Sequence, residues 1–457
     1  MDQHIITLAA LGPDSGDMLT LGALSALKGA EHLVLRTGRH GVARMLEQEG
    51  VAFQTLDALY EQCEDFDELC EMAADKLIAL ARQDGGLCYG VSEPQNDATV
   101  RFLARTLPED IQMCAAAGVS LADAAACAVL PYGVNTENLR VVTALSTQDM
   151  RVQADAPQVI TEIDNCYLAS DVKLWLSDLF DDEMTVYFIE NASSARPILL
   201  CELDRQKHYD HCTAVFVPFV SVYERSRASY EDFVEVIRRL RGPGGCPWDR
   251  AQTHHTLRQY MIEEACEAAE AMEQEEPEKI ADELGDVLLQ VVLNSAIGAE
   301  HRDFTDRDVT SMAAHKMITR HAHVFGREKA ENAQDVVPIW EEAKRKERGE
   351  QSALERVLDV AKTLPGLMRA QKVIRREADA KGETLMVETA LEKLHAAEQG
   401  VLSEDKTRRE EALGTMLESL CALAEAGGLD AETALRAATG RRIDALQKES
   451  EKNKADK

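Results

Sequence analysis

The sequence predicts a multidomain protein in which an α/β half is followed by an all-helical half. The chain has 457 residues, and domains of about 100 to 200 residues imply two to four of them. Up to about Val220, short apolar runs alternate with helical stretches, whereas from Phe233 onward the apolar spacing is helical. The polar stretch 223–229 between the two patterns therefore marks a domain boundary.

The strands of the first half are expected at its short apolar runs, because buried strands are brief and are separated by helices in α/β folds. Five of these runs serve as examples. They are 5–10, 32–35, 87–91, 184–189 and 214–220.

In the second half, Gly and Pro residues punctuate a series of helices. A Gly/Pro loop at 242–247 precedes a long helical pattern from Thr256, Pro277 breaks that pattern, and a second helix runs to about Ala299. Another break at 364–366 opens a last group of helices. The predicted domains are 1–222, 230–350 and 351–457.

The composition excludes several classes of function. A formal net charge of −31 repels phosphate backbones and anionic lipid, so we expect neither nucleic-acid nor membrane binding. No uncharged stretch is long enough to cross a bilayer, and the first residues lack the basic start of a signal peptide. The eleven cysteines show no CxxC spacing, which indicates a reducing, cytoplasmic environment.

Two pairs of acidic residues stand at helical spacing on either side of Pro277. Glu264 and Glu267 are three residues apart, as are Glu283 and Asp286, so each pair projects from one helix face. A short connection through Pro277 suits an antiparallel hairpin in which the pairs face each other. Four such carboxylates repel one another unless cations join them, and oxygen ligands favour Mg²⁺.

The alternative is that these acids are ordinary solvated residues of an acidic protein. The apolar run 287–293 after the second pair argues against this, because it should bury its helix and bring Glu283 and Asp286 next to the core. Buried acids without partners are costly, so we interpret all four as metal ligands.

Further motifs surround these acids and make the segment from Phe233 to about Arg348 resemble the MazG family of nucleotide pyrophosphohydrolases. They lie at 239–241, 245–249, 252–253, 283–286, 320–326 and 340–344. The resemblance implies that Glu264, Glu267, Glu283 and Asp286 hold Mg²⁺, and that water attacks the α-phosphorus of a nucleoside triphosphate. The products would be a nucleoside monophosphate and pyrophosphate.

Residues beside these motifs are candidates for substrate binding. Four cations are suited to phosphates, with a solvated helix face as the alternative for each: Lys316, Arg320, Lys344 and Arg348. Trp248 either stacks on a base or wedges its loop against the bundle, and we favour the wedge. His321 and His323 are expected to pack or cap, because oxygen-rich Mg²⁺ sites rarely recruit imidazole.

The last domain resembles a second MazG repeat without its metal ligands. The stretches 364–372 and 428–435 fit the ends of such a repeat, but Ala412-Leu413-Gly414-Thr415 stands where an acidic pair should be. Threonine and alanine cannot replace Mg²⁺-binding carboxylates. We therefore expect a structural or dimerising domain, and the resemblance implies a homodimer through the helical domains.

The first half resembles the tetrapyrrole methylases, which are S-adenosylmethionine enzymes of two α/β lobes with the cofactor in the cleft. The similarity runs through 11–13, 19–21, 34–37, 46–50, 88–91 and 118–124. The whole chain is thus similar to known fusions of the two families, and the resemblance implies two lobes within residues 1–222.

This half departs from the family in its cofactor loops. Ala10, Asp14 and Ser15 interrupt a glycine-rich loop, and Glu93 replaces a glycine in the second loop, Val91-Ser92-Glu93-Pro94-Gln95. These changes count against binding of S-adenosylmethionine. A methyltransferase acting on a tetrapyrrole-like substrate and a non-catalytic, ligand-sensing scaffold both remain as alternative functions.

Overall fold

The computed structural model describes residues 4–13, 16–60, 62–63, 65–348 and 352–455. The chain forms two compact units that divide between Ile297 and Gly298. The first unit contains both sheets, three helices of the second half and most of a fourth. The domain limits expected from the sequence, 1–222, 230–350 and 351–457, remain predictions.

The first lobe is a parallel sheet of five strands. Strands β1 to β5 span His4–Ala10, Leu33–Leu35, Gln54–Thr55, Gly86–Val91 and Ile111–Ala116. Helices α1 to α5 span Leu21–Gly29, Gly41–Gln48, Asp57–Tyr60, Phe66–Asp84 and Ala98–Thr106. The strand order is β3-β2-β4-β1-β5, and every neighbouring pair is parallel.

Apolar side chains cover both faces of this sheet, as a parallel sheet requires. One core includes Ile6 and Tyr89 with residues of α4 and α5, and the other includes Ala9 and Cys88 with residues of α1 and α2. The alternation along β1 and β4 sends successive side chains to opposite cores.

The second lobe is a mixed sheet of five strands. Helix α6 spans Leu121–Val129 and α7 spans Cys166–Ser177. Strands β6 to β10 span Arg140–Thr143, Gln158–Thr161, Thr185–Ile189, Ala195–Leu199 and Ala214–Val217. The order is β6-β7-β10-β8-β9, with β6 and β7 parallel and the other pairs antiparallel. The predicted two-lobed α/β half is confirmed.

No strand occurs among the described residues after β10. Four helices complete the first unit or begin in it: α8 (Tyr230–Arg241), α9 (Pro247–Ala251), α10 (His254–Gln274) and α11 (Pro277–His301). Their small core joins α8, α10 and α11 through buried residues. These are Val234, Ile237, Leu257, Val292, Leu293 and Ile297.

The second unit is all helical in its described residues, as predicted. Its helices α12 to α19 span Asp306–Arg320, Ala322–Phe325, Ala333–Arg348, Ala353–Leu358, Gly366–Lys381, Val387–Val401, Lys406–Ala426 and Ala431–Ala455. The expected break at 364–366 falls between α15 and α16. None of the described helices has the length and apolar character needed to span a membrane.

Candidate metal centre

Helices α10 and α11 form an antiparallel hairpin whose ends are fixed by the sequence. The Thr253 side chain caps α10 by accepting a hydrogen bond from the Thr256 amide at 3.2 Å. Glu275 adopts a left-handed conformation with φ of 56°, which ends α10 two residues before Pro277 begins α11. A connection this short returns the chain antiparallel.

Contacts at the far end of the hairpin set its register. His254 Nδ1 donates to Asn294 Oδ1 at 2.7 Å, and Leu257 lies in one core with Val292 and Leu293. The start of α10 therefore pairs with residues 292–294 of α11. In an antiparallel hairpin, this pairing places Glu264 and Glu267 opposite the beginning of α11. The register is therefore the reason why acids 16 to 22 residues apart in sequence meet.

Three of the four predicted ligands come together in the structure. One carboxylate oxygen from each of Glu264, Glu267 and Glu283 lies within 4.8 Å of the others. Glu264 and Glu283 are half-buried, and Glu267 is exposed. The half-buried state of Glu283 agrees with its expected place beside the core.

Asp286 is half-buried, and its negative charge repels the Glu264 carboxylate. Partial desolvation, followed by repulsion from Asp286, Glu267 and Glu283, raises the pKa of Glu264. Desolvation also raises the pKa of Glu283, with repulsion from Glu267 and Asp282 added and attraction to Lys279 opposing it. We call Glu264, Glu267, Glu283 and Asp286 the carboxylate cluster.

The donor chemistry of the carboxylate cluster fits a hard divalent cation. No hydrogen bond or ion pair joins its four carboxylates to another described residue, so only the attraction between Lys279 and Glu283 offsets part of their repulsion. All of its donor atoms are oxygen, which Mg²⁺ prefers, and two half-buried carboxylates beside an exposed one leave room for water and phosphate oxygens. The carboxylate cluster can therefore hold Mg²⁺.

Trp248 lies on α9, close to the same helix pair. Its ring meets Tyr260 of α10 edge-on with centroids 6.2 Å apart, yet the residue is 54% exposed. Tyr260 stands one helical turn before Glu264, a position that no motif in the sequence singles out. Trp248 thus has one aromatic neighbour and an open face, and both the wedge and the stacking role remain predictions.

The cations proposed to bind phosphate lie in the second unit. Arg320 forms an ion pair with Glu347 at 2.7 Å, and its guanidinium carbon lies 5.6 Å from the centre of the Trp340 ring. Lys344 Nζ lies 4.6 Å from the centre of that ring, and Lys316 is exposed. The Arg348 side chain lies outside the described residues. Phosphate binding by these four stays a prediction.

The two histidines after α12 differ in their contacts. His321 Nδ1 lies 2.7 Å from the Met317 carbonyl oxygen at the end of α12, which agrees with the expected capping role. The two rings are 5.6 Å apart, and no partner is found for the buried His323 Nδ1 among the described residues.

The last repeat carries no cluster like that of α10 and α11 among residues 352–455. Its contacts are those of a structural bundle. Arg375 of α16 pairs with Glu425 of α18, and Gln371 donates to the Leu429 carbonyl at 2.8 Å while accepting from the Ala431 amide at 2.9 Å. These contacts join α16, α18 and α19.

In the first half, Glu93 binds the beginning of α6. Its carboxylate accepts hydrogen bonds from the Leu121 amide, from Asn96 Nδ2 at 2.6 Å and from Gln95 Nε2 at 3.3 Å. A helix beginning is a position that favours an anion, so the Glu93 carboxylate acts there as a built-in anion. Asp14 and Ser15 of the first loop lie outside the described residues.

We therefore predict weak or absent binding of S-adenosylmethionine by the first half. Calorimetric titration of the parent should give little heat, and micromolar affinity would contradict the prediction. Glu93→Gly is the informative variant, because it releases the Leu121 amide and removes a charge. If Glu93 is the obstacle, the variant should bind more tightly than the parent.

Comparison with known proteins gives one domain match. Residues 252–325 match the model of the MazG nucleotide pyrophosphohydrolase domain, which includes the whole carboxylate cluster.

Several relatives are similar over longer stretches. The nucleoside triphosphate pyrophosphohydrolase/pyrophosphatase MazG of Thermotoga maritima is 33% identical over 229 residues, covering 49% of this chain and 86% of that protein. The nucleoside triphosphate pyrophosphohydrolase of Escherichia coli K12 is 34% identical over 210 residues, covering 44% and 80%. The uncharacterized protein YabN of Bacillus subtilis is 34% identical over 376 residues, covering 80% and 76%, so this similarity extends into both halves.

Two solved structures are also similar. Uroporphyrin-III-C-methyltransferase from Thermus thermophilus has a TM-score of 0.36 and 17% identity, covering 47% of this chain and 94% of that chain. A diphthine synthase has a TM-score of 0.34 and 13% identity, covering 50% and 93%.

Proposed function

We propose that this chain, which belongs to the MazG family of nucleotide pyrophosphohydrolases, hydrolyses nucleoside triphosphates to nucleoside monophosphates and pyrophosphate. The proposed reaction depends on Mg²⁺. The observation that carries the proposal is the carboxylate cluster, in which oxygens of Glu264, Glu267 and Glu283 lie within 4.8 Å of one another. The Asp286 charge acts on the same group.

The reaction consumes one water for each triphosphate. A water oxygen attacks the α-phosphorus, the bond from that phosphorus to the bridging oxygen breaks, and pyrophosphate leaves. Bound Mg²⁺ supplies neutralisation of the phosphates and a lower pKa for water. Such chemistry requires no covalent intermediate on the protein.

The chain's own residues bind and orient in this proposal. Glu264, Glu267, Glu283 and Asp286 hold the cation. Trp248 offers its exposed ring beside Tyr260 to a base or wedges its loop, and cationic side chains meet the phosphates. These cations are Lys316, Arg320, Lys344 and Arg348.

We further propose a homodimer formed through the helical domains. On α18, Leu413, Leu417 and Leu420 follow helical spacing and are 51%, 44% and 44% exposed. Such a stripe on a long helix suits a second copy of the same bundle. The cytoplasm is the matching compartment, because it holds nucleoside triphosphates and keeps thiols reduced, and the eleven cysteines form no disulfide.

The proposed reaction predicts which products appear and when. Across a panel of ribonucleoside and deoxyribonucleoside triphosphates, at least one substrate should yield pyrophosphate and monophosphate in equal amounts with Mg²⁺ present. Chelation of the metal should abolish release, because the carboxylate cluster would then lack its cation. Chromatography of the nucleotide and an assay that separates pyrophosphate from phosphate provide the measurement. If no triphosphate yields pyrophosphate at saturating Mg²⁺, the proposal fails.

A further inference from the structure

A second group of metal-binding side chains lies in the first unit, in the loop that leads into β10. Asp210, His211 and Cys212 each offer one ligand atom, and these atoms lie within 4.8 Å of one another. His208 lies next to this group, and its Nε2 is 3.2 Å from Asp210 Oδ2. We call residues 208–212 the His208–Cys212 loop.

Hydrogen bonds fold this loop tightly and fix the direction of the aspartate. Asp210 Oδ1 accepts from the Cys212 amide at 2.9 Å and from the Thr213 hydroxyl at 3.2 Å, while the Asp210 amide donates to Thr213 Oγ1 at 2.9 Å. Cys212 is 3% exposed, because the chain enters the buried strand β10 two residues later. The loop therefore holds a buried thiol beside an exposed imidazole and a half-buried carboxylate.

A histidine of the first lobe lies beside the His208–Cys212 loop. The His40 ring lies 6.4 Å from the His211 ring, and His40 is 2% exposed. His40 Nδ1 accepts from the Val42 amide at 3.2 Å, so Nε2 carries the proton and donates to the Gly12 carbonyl at 3.0 Å. Nε2 of His40 thus holds the loop after β1, and Nδ1 caps the beginning of α2. His40 thus fixes the surroundings of His211 and is not a ligand in this arrangement.

We propose that Asp210, His211 and Cys212 bind a transition-metal ion of the Zn²⁺ class, with the fourth position of the ion left to water. Thiolate and imidazole are borderline-soft donors that Mg²⁺ avoids and Zn²⁺ favours, so this site differs in chemistry from the carboxylate cluster. On binding, the Cys212 thiol releases its proton to solvent and the thiolate sulfur bonds to the metal. Oxidation and reduction play no part.

The spacing of the ligand atoms suits this assignment. Zn²⁺ bonds nitrogen at about 2.0 Å and sulfur at about 2.3 Å, which places the ligands of a tetrahedral ion roughly 3.5 Å apart. Atoms already within 4.8 Å reach that spacing through small rotations of side chains. The ion would hold together the loop that leads into β10. The proposal is independent of the pyrophosphohydrolase reaction.

Cobalt titration of the reduced, metal-free, full-length chain tests this site. Co²⁺ bound by a thiolate gives a near-ultraviolet charge-transfer band, whereas Co²⁺ bound by oxygens alone does not, so the carboxylate cluster does not contribute to the band. We expect the band to saturate at one equivalent of Co²⁺ and to disappear when one equivalent of Zn²⁺ is added. Cys212→Ser should abolish it, and Cys127→Ser, which alters an exposed thiol on α6, should leave it unchanged.

A second variant covers the case in which Cys212→Ser fails to fold. His211 is exposed, so His211→Ala should keep the apo melting temperature and weaken Co²⁺ binding at least tenfold. This variant should also release pyrophosphate from triphosphates as the parent does, because it leaves α10 and α11 unchanged. Absence of the band in the parent, or its persistence in both Cys212→Ser and His211→Ala, would overturn the proposal.

Discussion

Replacing Asp286 by asparagine, or Glu264 by glutamine, is expected to lower pyrophosphate release by more than about 100-fold. Each change removes one negative charge and nearly preserves shape, so it tests metal binding rather than packing. Loss of a residue that only orients a metal ligand costs about 10- to 100-fold, and loss of a ligand itself should cost more. Steady-state turnover at saturating Mg²⁺ is the measurement. Glu278→Gln, an exposed acid in the first turn of α11, is the matched control and should keep parental turnover.

The same variants should affect stability in the opposite direction. Repulsion within the carboxylate cluster opposes folding without metal, so neutralising one member should leave the apo melting temperature unchanged or raise it. The gain in melting temperature on adding Mg²⁺ should shrink. Equal Mg²⁺ shifts in parent and variants, together with parental turnover, would remove the metal site.

The pH dependence of the apo protein follows from the raised pKa of Glu264, whose ordinary value is 4.5. A carboxyl with a raised folded pKa binds its proton more tightly in the native state. It therefore stabilises the fold below pH 4.5, and this contribution is lost as pH rises through the folded pKa. In the presence of a chelator, the melting temperature of the parent should fall as pH rises through this range. Glu264→Gln should make that fall smaller, because glutamine does not titrate.

The sequence was sufficient to predict that these carboxylates approach one another, because residues three apart in a helix project from the same face. Glu264 and Glu267 share a face, and Pro277 allows only a short return, so the approach of Glu283 follows from the spacing of the residues. The register could not be predicted in the same way, since it depends on the His254–Asn294 hydrogen bond and on the packing of Leu257. Tyr260 was overlooked because an aromatic residue on a helix carries no distinctive pattern.

Short strands were also missed for a physical reason. Strands β3 and β9 span Gln54–Thr55 and Ala195–Leu199 at the edges of their sheets, where side chains are partly exposed. Edge strands need no continuous apolar run, so periodicity alone does not reveal them. The buried strands β1, β4 and β10 were predicted, because burial on both faces produces such runs. The buried strand β7 was not among the named runs, because polar Gln158 and Thr161 flank its two apolar residues.

Glu93 shows how far a single substitution can be interpreted from sequence. Its position, where the tetrapyrrole methylases have a glycine, indicated a lost close approach. The structure adds that its carboxylate binds the Leu121 amide at the start of α6. The partner lies 28 residues away, in an element that only the packed lobes bring near.

Gly245→Ala is expected to destabilise the helical part of the first unit. The expected loss is about 3 kcal/mol, the cost of overpacking a site that cannot relax. A methyl group on Gly245 would lie 2.2 Å from the Leu240 carbonyl oxygen and 2.5 Å from that of Arg239. Both are backbone atoms at the end of α8, so they cannot rotate away. The loop would have to leave α8 and lose the 2.7 Å hydrogen bond from the Cys246 amide to Leu240.

Gly244→Ala is the matched control, because the two glycines are adjacent but differ in surroundings. Gly244 has a φ of +75°, and a methyl group there would meet nothing within 4 Å, so alanine costs only about 1 to 2 kcal/mol of left-handed strain. Chemical denaturation should rank the parent above Gly244→Ala and Gly244→Ala above Gly245→Ala. Because the displaced loop carries Trp248 away from Tyr260, Gly245→Ala should also raise the KM for the triphosphate if Trp248 binds the base. Equal stability of the two variants would show that the loop is free to move off α8, and the rigid placement of Trp248 would then have to be abandoned.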